Sequence, residues 1–216
     1  MKTIITAMLA VLTFTCCMAR EKKPAIKARL KGYPSGAIDE YHFHAGKAIV
    51  KGRFVNRTEH SFSTFNVTGT DLFSNQDFVR TINIEPDGSF LELISLPHSG
   101  WVYFDGAEIP PAFLAIGDTL DLLINGTGDE TTISGSGATG EVNSVWPRLE
   151  TQFASKETRT PWKEMNREFM LEWKNRKVRE LDRIASAIDA DTITLLNGCS
   201  DYAKDVLKTS LLAMPL

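Results

Sequence analysis

The hydrophobic pattern of this chain changes its period once, and that change limits the folds open to it. From Tyr41 onward the apolar side chains come in short runs rich in β-branched and aromatic residues, each closed by turn chemistry. Beyond Gly140 they recur every three to four positions, the spacing of an amphipathic helix. The expectation is a mainly β protein with an α-helical C-terminal part, an antiparallel β-sandwich of about seven or eight strands followed by helices. A chain of 216 residues with 43% hydrophobic and 24% charged residues can bury such a core.

The strands read from the alternation are residues 48–55, 62–72, 78–84, 90–96, 101–104, 112–116, 119–124 and, more weakly, 131–134. Gly69 is a candidate bulge within the second run. Between the third and fourth stands Pro86-Asp87-Gly88-Ser89, whose Asp-Gly pair tolerates positive φ and predicts a β-hairpin. The glycine-rich run 135–140 then closes the β region as a loop. Thr160 is a candidate cap with Pro161 at the first helical position. Trp162, Met165, Phe169, Trp173, Leu181, Ile184 and Ile188 form one apolar stripe on a helix of about 27 residues. Glu164, Glu168 and Glu172 precede Lys174, Arg176, Lys177 and Arg179, an order that complements the helix dipole. A short turn at 192–196 stops at Asn197-Gly198. A last helix starts near Ser200 with Tyr202, Val206, Leu207, Leu211 and Leu212 on one side.

The N-terminus has the layout of an export signal. Lys2 precedes an apolar stretch over 4–14, and Cys17-Met18-Ala19 puts small side chains before a cleavage point at Arg20. The stretch is shorter than the roughly twenty apolar residues a bilayer span needs. Cys16 and Cys17 are candidate lipid acceptors, although neither sits in a good lipobox, so soluble export and lipid anchoring both stand open. The organisation expected is a signal peptide over 1–19, a basic, Pro- and Gly-interrupted lead-in over 20–40, the sandwich over 41–137 and a helical region over 138–216. The protein is then exported, periplasmic or outer-membrane-associated, and touches a membrane only through an N-terminal lipid. Loss of the leader would leave Cys199 as the remaining thiol of three cysteines. A formal charge of −3 argues against nucleic acid as a partner.

No residue set announces a reaction. His42 and His44 would share one strand face without visible further ligands, and His60 and His98 lie in turn-like stretches; all four read as surface histidines. Gly135-x-Gly137-x-x-Gly140 matches a dinucleotide fingerprint in letters only, because an all-β region precedes it and Pro147 interrupts the helix that should follow. Asp118 and Asp87 read as turn-shaping, beside Asp121 and Glu85. The basic cluster at 174–179 reads as a solvated helix face. The sequons at Asn56, Asn66 and Asn125 would matter only in a eukaryotic secretory protein. Catalytic, cofactor and metal residues are therefore none, and Trp101 and Tyr103 are the candidate ligand or partner surface.

Several segments in order carry a resemblance: Ile49-Val50-Lys51-Gly52-Arg53-Phe54, Asp87-Gly88-Ser89-Phe90, Phe113-Leu114-Ala115-Ile116-Gly117-Asp118-Thr119-Leu120, and Ile133-Ser134-Gly135 with Asn143. Over about residues 48–153 the chain resembles the N-terminal domain of envelope thioredoxin-like (TlpA-type) disulfide reductases of Gram-negative gut bacteria. That resemblance implies a β-sandwich, a helical connector and a following thioredoxin domain. The family's redox activity maps onto no residue here, because the sequence holds no Cys-x-x-Cys and no βαβ pattern after the helices. The expected function is a non-catalytic envelope module that binds a protein partner, or a remnant of a longer reductase. The alternative is a carbohydrate- or small-ligand-binding sandwich, or a hydrolase, working through Trp101 and Tyr103.

Overall fold

The computed structural model describes residues 44–59, 61–72, 74–106, 108–127, 131–154 and 166–214. Every expected strand is present: β1 Gly46–Val55, β2 Thr64–Asp71, β3 Gln76–Asn83, β4 Ser89–Leu96, β5 Gly100–Asp105, β6 Ala112–Leu114, β7 Thr119–Asn125 and β8 Thr132–Gly135. They form two four-stranded sheets, ordered β4-β1-β7-β8 and β3-β2-β5-β6. All pairings are antiparallel except β1 with β7, which run parallel with Ile49 opposite Thr119 and Val55 opposite Asn125.

Strand alternation sends every second side chain between the sheets. Val50, Ile94 and Leu120 of one sheet, fully buried, meet Phe65, Val67 and Ile82 of the other. Phe65 packs edge-on against Phe90 across the gap, ring centroids 5.3 Å apart. Burial of each such side chain contributes about 1.5–3 kcal/mol. Both sheets protect an outer strand in the same manner. Glu92 on β4 and Arg80 on β3 occupy core-facing registers, opposite Val50 and Val67, yet both are exposed. An inward-register charge on an edge strand discourages pairing with another chain.

Two details of the β region depart from the sequence reading. The Asp87-Gly88 turn forms, with Gly88 at φ +86 and its N–H donating to the Glu85 carbonyl at 2.8 Å. The strands it joins do not pair, because β3 and β4 belong to different sheets. Ile84 and Phe90 on either side both turn into the core, so the turn arches over the sandwich, and the ladder of β4 is taken by β1. Gly69 makes no bulge, since β2 and β3 pair without interruption from Thr64–Asn83 to Asp71–Gln76. A methyl at Gly69 would come within 2.6 Å of the Phe78 ring, so the glycine makes room for an aromatic neighbour.

The helical part holds α1 Gly137–Phe153, α2 Arg167–Asp189, a 3₁₀ turn Thr194–Leu196 and α3 Asp201–Ala213. The expected loop over 135–140 is overturned: α1 opens at Gly137 and continues through Pro147. A proline inside a helix costs about 3 kcal/mol. Val142 and Leu149, both fully buried, anchor the turns on either side of it, and their packing outweighs that cost. The N-cap of α2 is Asn166, whose side chain accepts the Phe169 N–H at 2.8 Å. The expected start at Thr160 and Pro161, with Trp162, Glu164 and Met165, lies outside the described residues. Only Ile184 and Ile188 of α2 are buried, so the expected stripe is covered at its C-terminal end, while Met170, Leu171 and Val178 are about half exposed. In α3 the expected face packs as read, with Val206, Leu207 and Leu211 buried and Ser200 as cap.

A second core joins helices to sheet, with Phe113 and Ala115 meeting Val142, Leu149, Ile184 and Leu207. Its polar centre is Asn143. β6 is the last strand of its sheet, which leaves the Phe113 N–H and C=O without a strand partner. The Asn143 Oδ1 accepts that N–H, and Nδ2 donates to that carbonyl, both at 2.8 Å. One turn earlier the Thr139 hydroxyl accepts the Ala115 N–H at 2.9 Å. Thr139 and Asn143 are both buried, so α1 closes the sheet edge as a further strand would.

Asn143→Ala would strand a buried N–H and a buried C=O together, and should lower stability by about 2–4 kcal/mol. Asn143→Asp keeps the acceptor but loses the donor, and should cost a similar amount. Ser144→Ala on the solvent side of the same turn should cost less than about 0.5 kcal/mol. Urea unfolding with an unchanged slope is the measurement, and an Asn143 shift no larger than the Ser144 control would refute the clamp.

Candidate functional site

Trp101 and Tyr103 alternate on β5 with the buried Val102 and Phe104, so both reach the outer face of their sheet. The second core continues there. Trp101 lies against Phe113 at 6.0 Å and against Trp146 of α1 at 5.1 Å, the two indoles tilted by 57°. Its Nε1–H donates to Ser210 Oγ of α3 at 3.0 Å. Tyr103, one strand pair further out, is 54% exposed.

These aromatics border a cleft of about 690 Å³ that also takes in Pro110, Pro111, Ile133, Pro147, Glu150 and Met214. The volume falls within the roughly 300–1,000 Å³ of small-ligand sites. Separate elements build the cleft: β5 supplies Trp101 and Tyr103, one face of α1 supplies Asn143, Trp146 and Glu150, the end of α3 supplies Ser210 and Met214, β8 supplies Ile133, and the β5–β6 loop supplies the two prolines. Sequence reasoning found the β5 pair and missed the α1 residues. The signal for them was Val142, Trp146, Leu149 and Phe153 at helical spacing, masked by the flanking glycines and by Pro147.

The glycine fingerprint does other work. Asp118 Oδ2 accepts the Thr139 N–H at 2.9 Å, so a carboxylate of the chain itself occupies the anion-favouring N-terminus of α1. A Cβ on Gly137 would strike that carboxylate, and one on Gly135 would meet the Thr119 carbonyl at 2.6 Å. Asp118 follows Gly117 at φ +86, so it also shapes the expected turn. Asp121 points elsewhere and pairs with Lys51 at 3.2 Å. The two carboxylates thus serve separate structural contacts.

The remaining candidates are scattered. His98 is buried rather than on the surface: its Nε2 accepts the Leu72 N–H at 3.2 Å and its Nδ1 lies 2.9 Å from the Ser99 carbonyl. It is a satisfied histidine under the β4–β5 turn. His44 is exposed, while His42, His60, Cys16 and Cys17 lie outside the described residues. Of the basic cluster, Lys177 pairs with Glu180 at 3.5 Å and lies over the Trp173 ring. Burial, and then the nearby Glu141 carboxylate, push the Cys199 thiol up, which disfavours the reactive thiolate at neutral pH. Glu141 Oε2 instead accepts the Ser200 N–H and hydroxyl at 2.9 and 2.6 Å, tying α1 to the start of α3. Among the described residues no group of three or more His, Cys, Asp or Glu could hold a metal ion, and no helix is long and apolar enough to cross a membrane.

No protein-family model matches the chain, and no curated protein matches it. Among solved structures, it is similar to a crystal structure of a candidate cell-adhesion protein from Bacteroides ovatus ATCC 8483, at 14% identity and a TM-score of 0.26. The match covers 43% of this chain and 44% of that one. A likeness of that size carries no argument about either fold or function.

The hydroxyl and N–H of Ser89, with Arg53 beside them, hold the Asp87 carboxyl below its ordinary value of 3.8. A lowered folded-state value means that this contact stabilises above the ordinary value and is lost as pH falls through the folded one. Ser89→Ala should raise the Asp87 titration midpoint toward 3.8 in a carboxyl NMR titration. An unmoved midpoint would show that the hydroxyl is not the main cause.

Proposed function

We propose that this chain is a non-catalytic module of the bacterial cell envelope, exported through residues 1–19, that binds a ligand or partner in the cleft between β5 and α1. The observation that carries this reading is the cleft itself: aromatic rings from β5 and α1 converge beside a structurally committed set of polar groups. Asn143, Asp118 and Glu141 are each engaged in holding elements together. The resemblance to the first domain of thioredoxin-like reductases supports the envelope setting and a scaffold role beside such enzymes. The raised Cys199 thiol is a poor redox group, which agrees with that role.

Two measurements test the proposal. Purified chain beginning at Arg20 should reduce insulin with dithiothreitol no faster than buffer alone, and a rate above that background would overturn the non-catalytic reading. Expressed in a Gram-negative host, the full chain should fractionate with periplasm or membranes, and deletion of residues 2–19 should leave it in the cytosol. Cytosolic accumulation of the intact chain would remove the envelope assignment.

A further inference from the structure

Three of the donors that border the Trp101–Trp146 cleft are already committed. The Trp101 indole N–H is given to Ser210, the Asn143 amide to the Phe113 and Thr139 carbonyls, and the Thr209 hydroxyl to the Asp205 carbonyl at 2.7 Å. Among the described residues, the lining carries three aromatic rings, Trp101, Tyr103 and Trp146, and no cationic side chain. Glu150 is the one charged side chain among the described residues lining it, and it stands one turn beyond Trp146 on the same face of α1. Among the described residues no cation pairs with Glu150.

We propose that this cleft binds a weakly hydrated organic cation, a quaternary ammonium group, against the aromatic lining of Trp101, Tyr103 and Trp146 with Glu150 as its counter-charge. The two indoles, 5.1 Å apart and tilted by 57°, form a corner rather than a flat wall. A corner lets one rounded group lie within about 6 Å of more than one ring centroid, where the negative ring faces attract it. The methyl groups of such a cation fill apolar space as a neutral ligand's would, while its diffuse charge needs no hydrogen-bond acceptor. An anion would meet Glu150 and the ring faces unfavourably. A saccharide would call on the donors of Trp146, Tyr103, Thr131 and Ser210, since those on Trp101, Asn143 and Thr209 are in use, and it would leave Glu150 without a counter-charge.

This inference rests on the reading of the chain as a binding module, and one experiment separates the two. The probes are choline and its neutral isostere 3,3-dimethyl-1-butanol, followed by the indole NMR signals of Trp101 and Trp146 in the chain beginning at Arg20. Choline should shift both signals saturably and bind about tenfold more tightly than the isostere, the size that one desolvated cation–π contact supplies. Glu150→Gln should weaken choline about three- to tenfold and leave the isostere unchanged, as expected of a lost charge pair. Tyr103→Ala, at an exposed position that keeps the core intact, should also weaken choline selectively. Equal affinity for choline and the isostere would overturn the cation assignment and leave an apolar pocket. Shifts with cellobiose but none with choline would replace it with a saccharide site. Unmoved indole signals with every probe would overturn it outright. Turnover in the insulin assay would remove the module reading whatever choline does.

Discussion

The structure depends on how β6 ends its sheet. A sheet edge leaves a row of backbone donors and acceptors, and burying that edge under helices is tolerable only if the row finds partners. Asn143 offers one acceptor and one donor in the spacing of a peptide group, and both meet Phe113. Thr139 satisfies Ala115 one turn earlier. With the edge closed, Val142, Leu149 and Phe153 of α1 can pack without leaving buried polar groups unpaired, and the second core can form.

Everything further from the sandwich hangs on α1. Glu141 holds the start of α3 through Ser200. The Arg183 guanidinium of α2 lies over the Phe153 ring at 5.1 Å and reaches the Phe153 carbonyl at 3.4 Å, an end of α1 where cations are favoured. α2 in turn packs only its last turns, which leaves its N-terminal half, with Met170 and Leu171, largely in solvent. The Trp101–Trp146 cleft is a consequence of the same arrangement, because docking α1 on β6 brings Trp146 against Trp101 of the neighbouring strand.

The positions of the strands were legible because alternation is a local property. Val102 and Phe104 turn in, so Trp101 and Tyr103 had to turn out, and any fold that kept this strand half-buried would expose them. Gly88 likewise marked its turn correctly, since positive φ is a property of the residue itself. The partners of these strands were not legible. An Asp-Gly turn between two β runs predicts a hairpin, yet Ile84 and Phe90 gain more from entering the core on opposite sheets than from pairing with each other. The parallel pairing of β1 with β7 is of the same kind, joining segments far apart in the chain. α1 was hidden because its glycines and Pro147 argue locally against a helix, and Trp146 and Glu150 of the cleft were hidden with it.

By itself the sequence determined the fold class, the place of each strand, the capped start of the last helix at Ser200 and the outward face of β5. Those follow from side-chain period, backbone propensity and cap chemistry, which act over a few residues. Only the tertiary structure decided which strands share a sheet, that a helix would form across Pro147, and that Asn143 would stand in for a missing strand. Those outcomes turn on burial and on satisfying backbone groups that are remote in sequence, and such terms exist only once the chain has closed on itself.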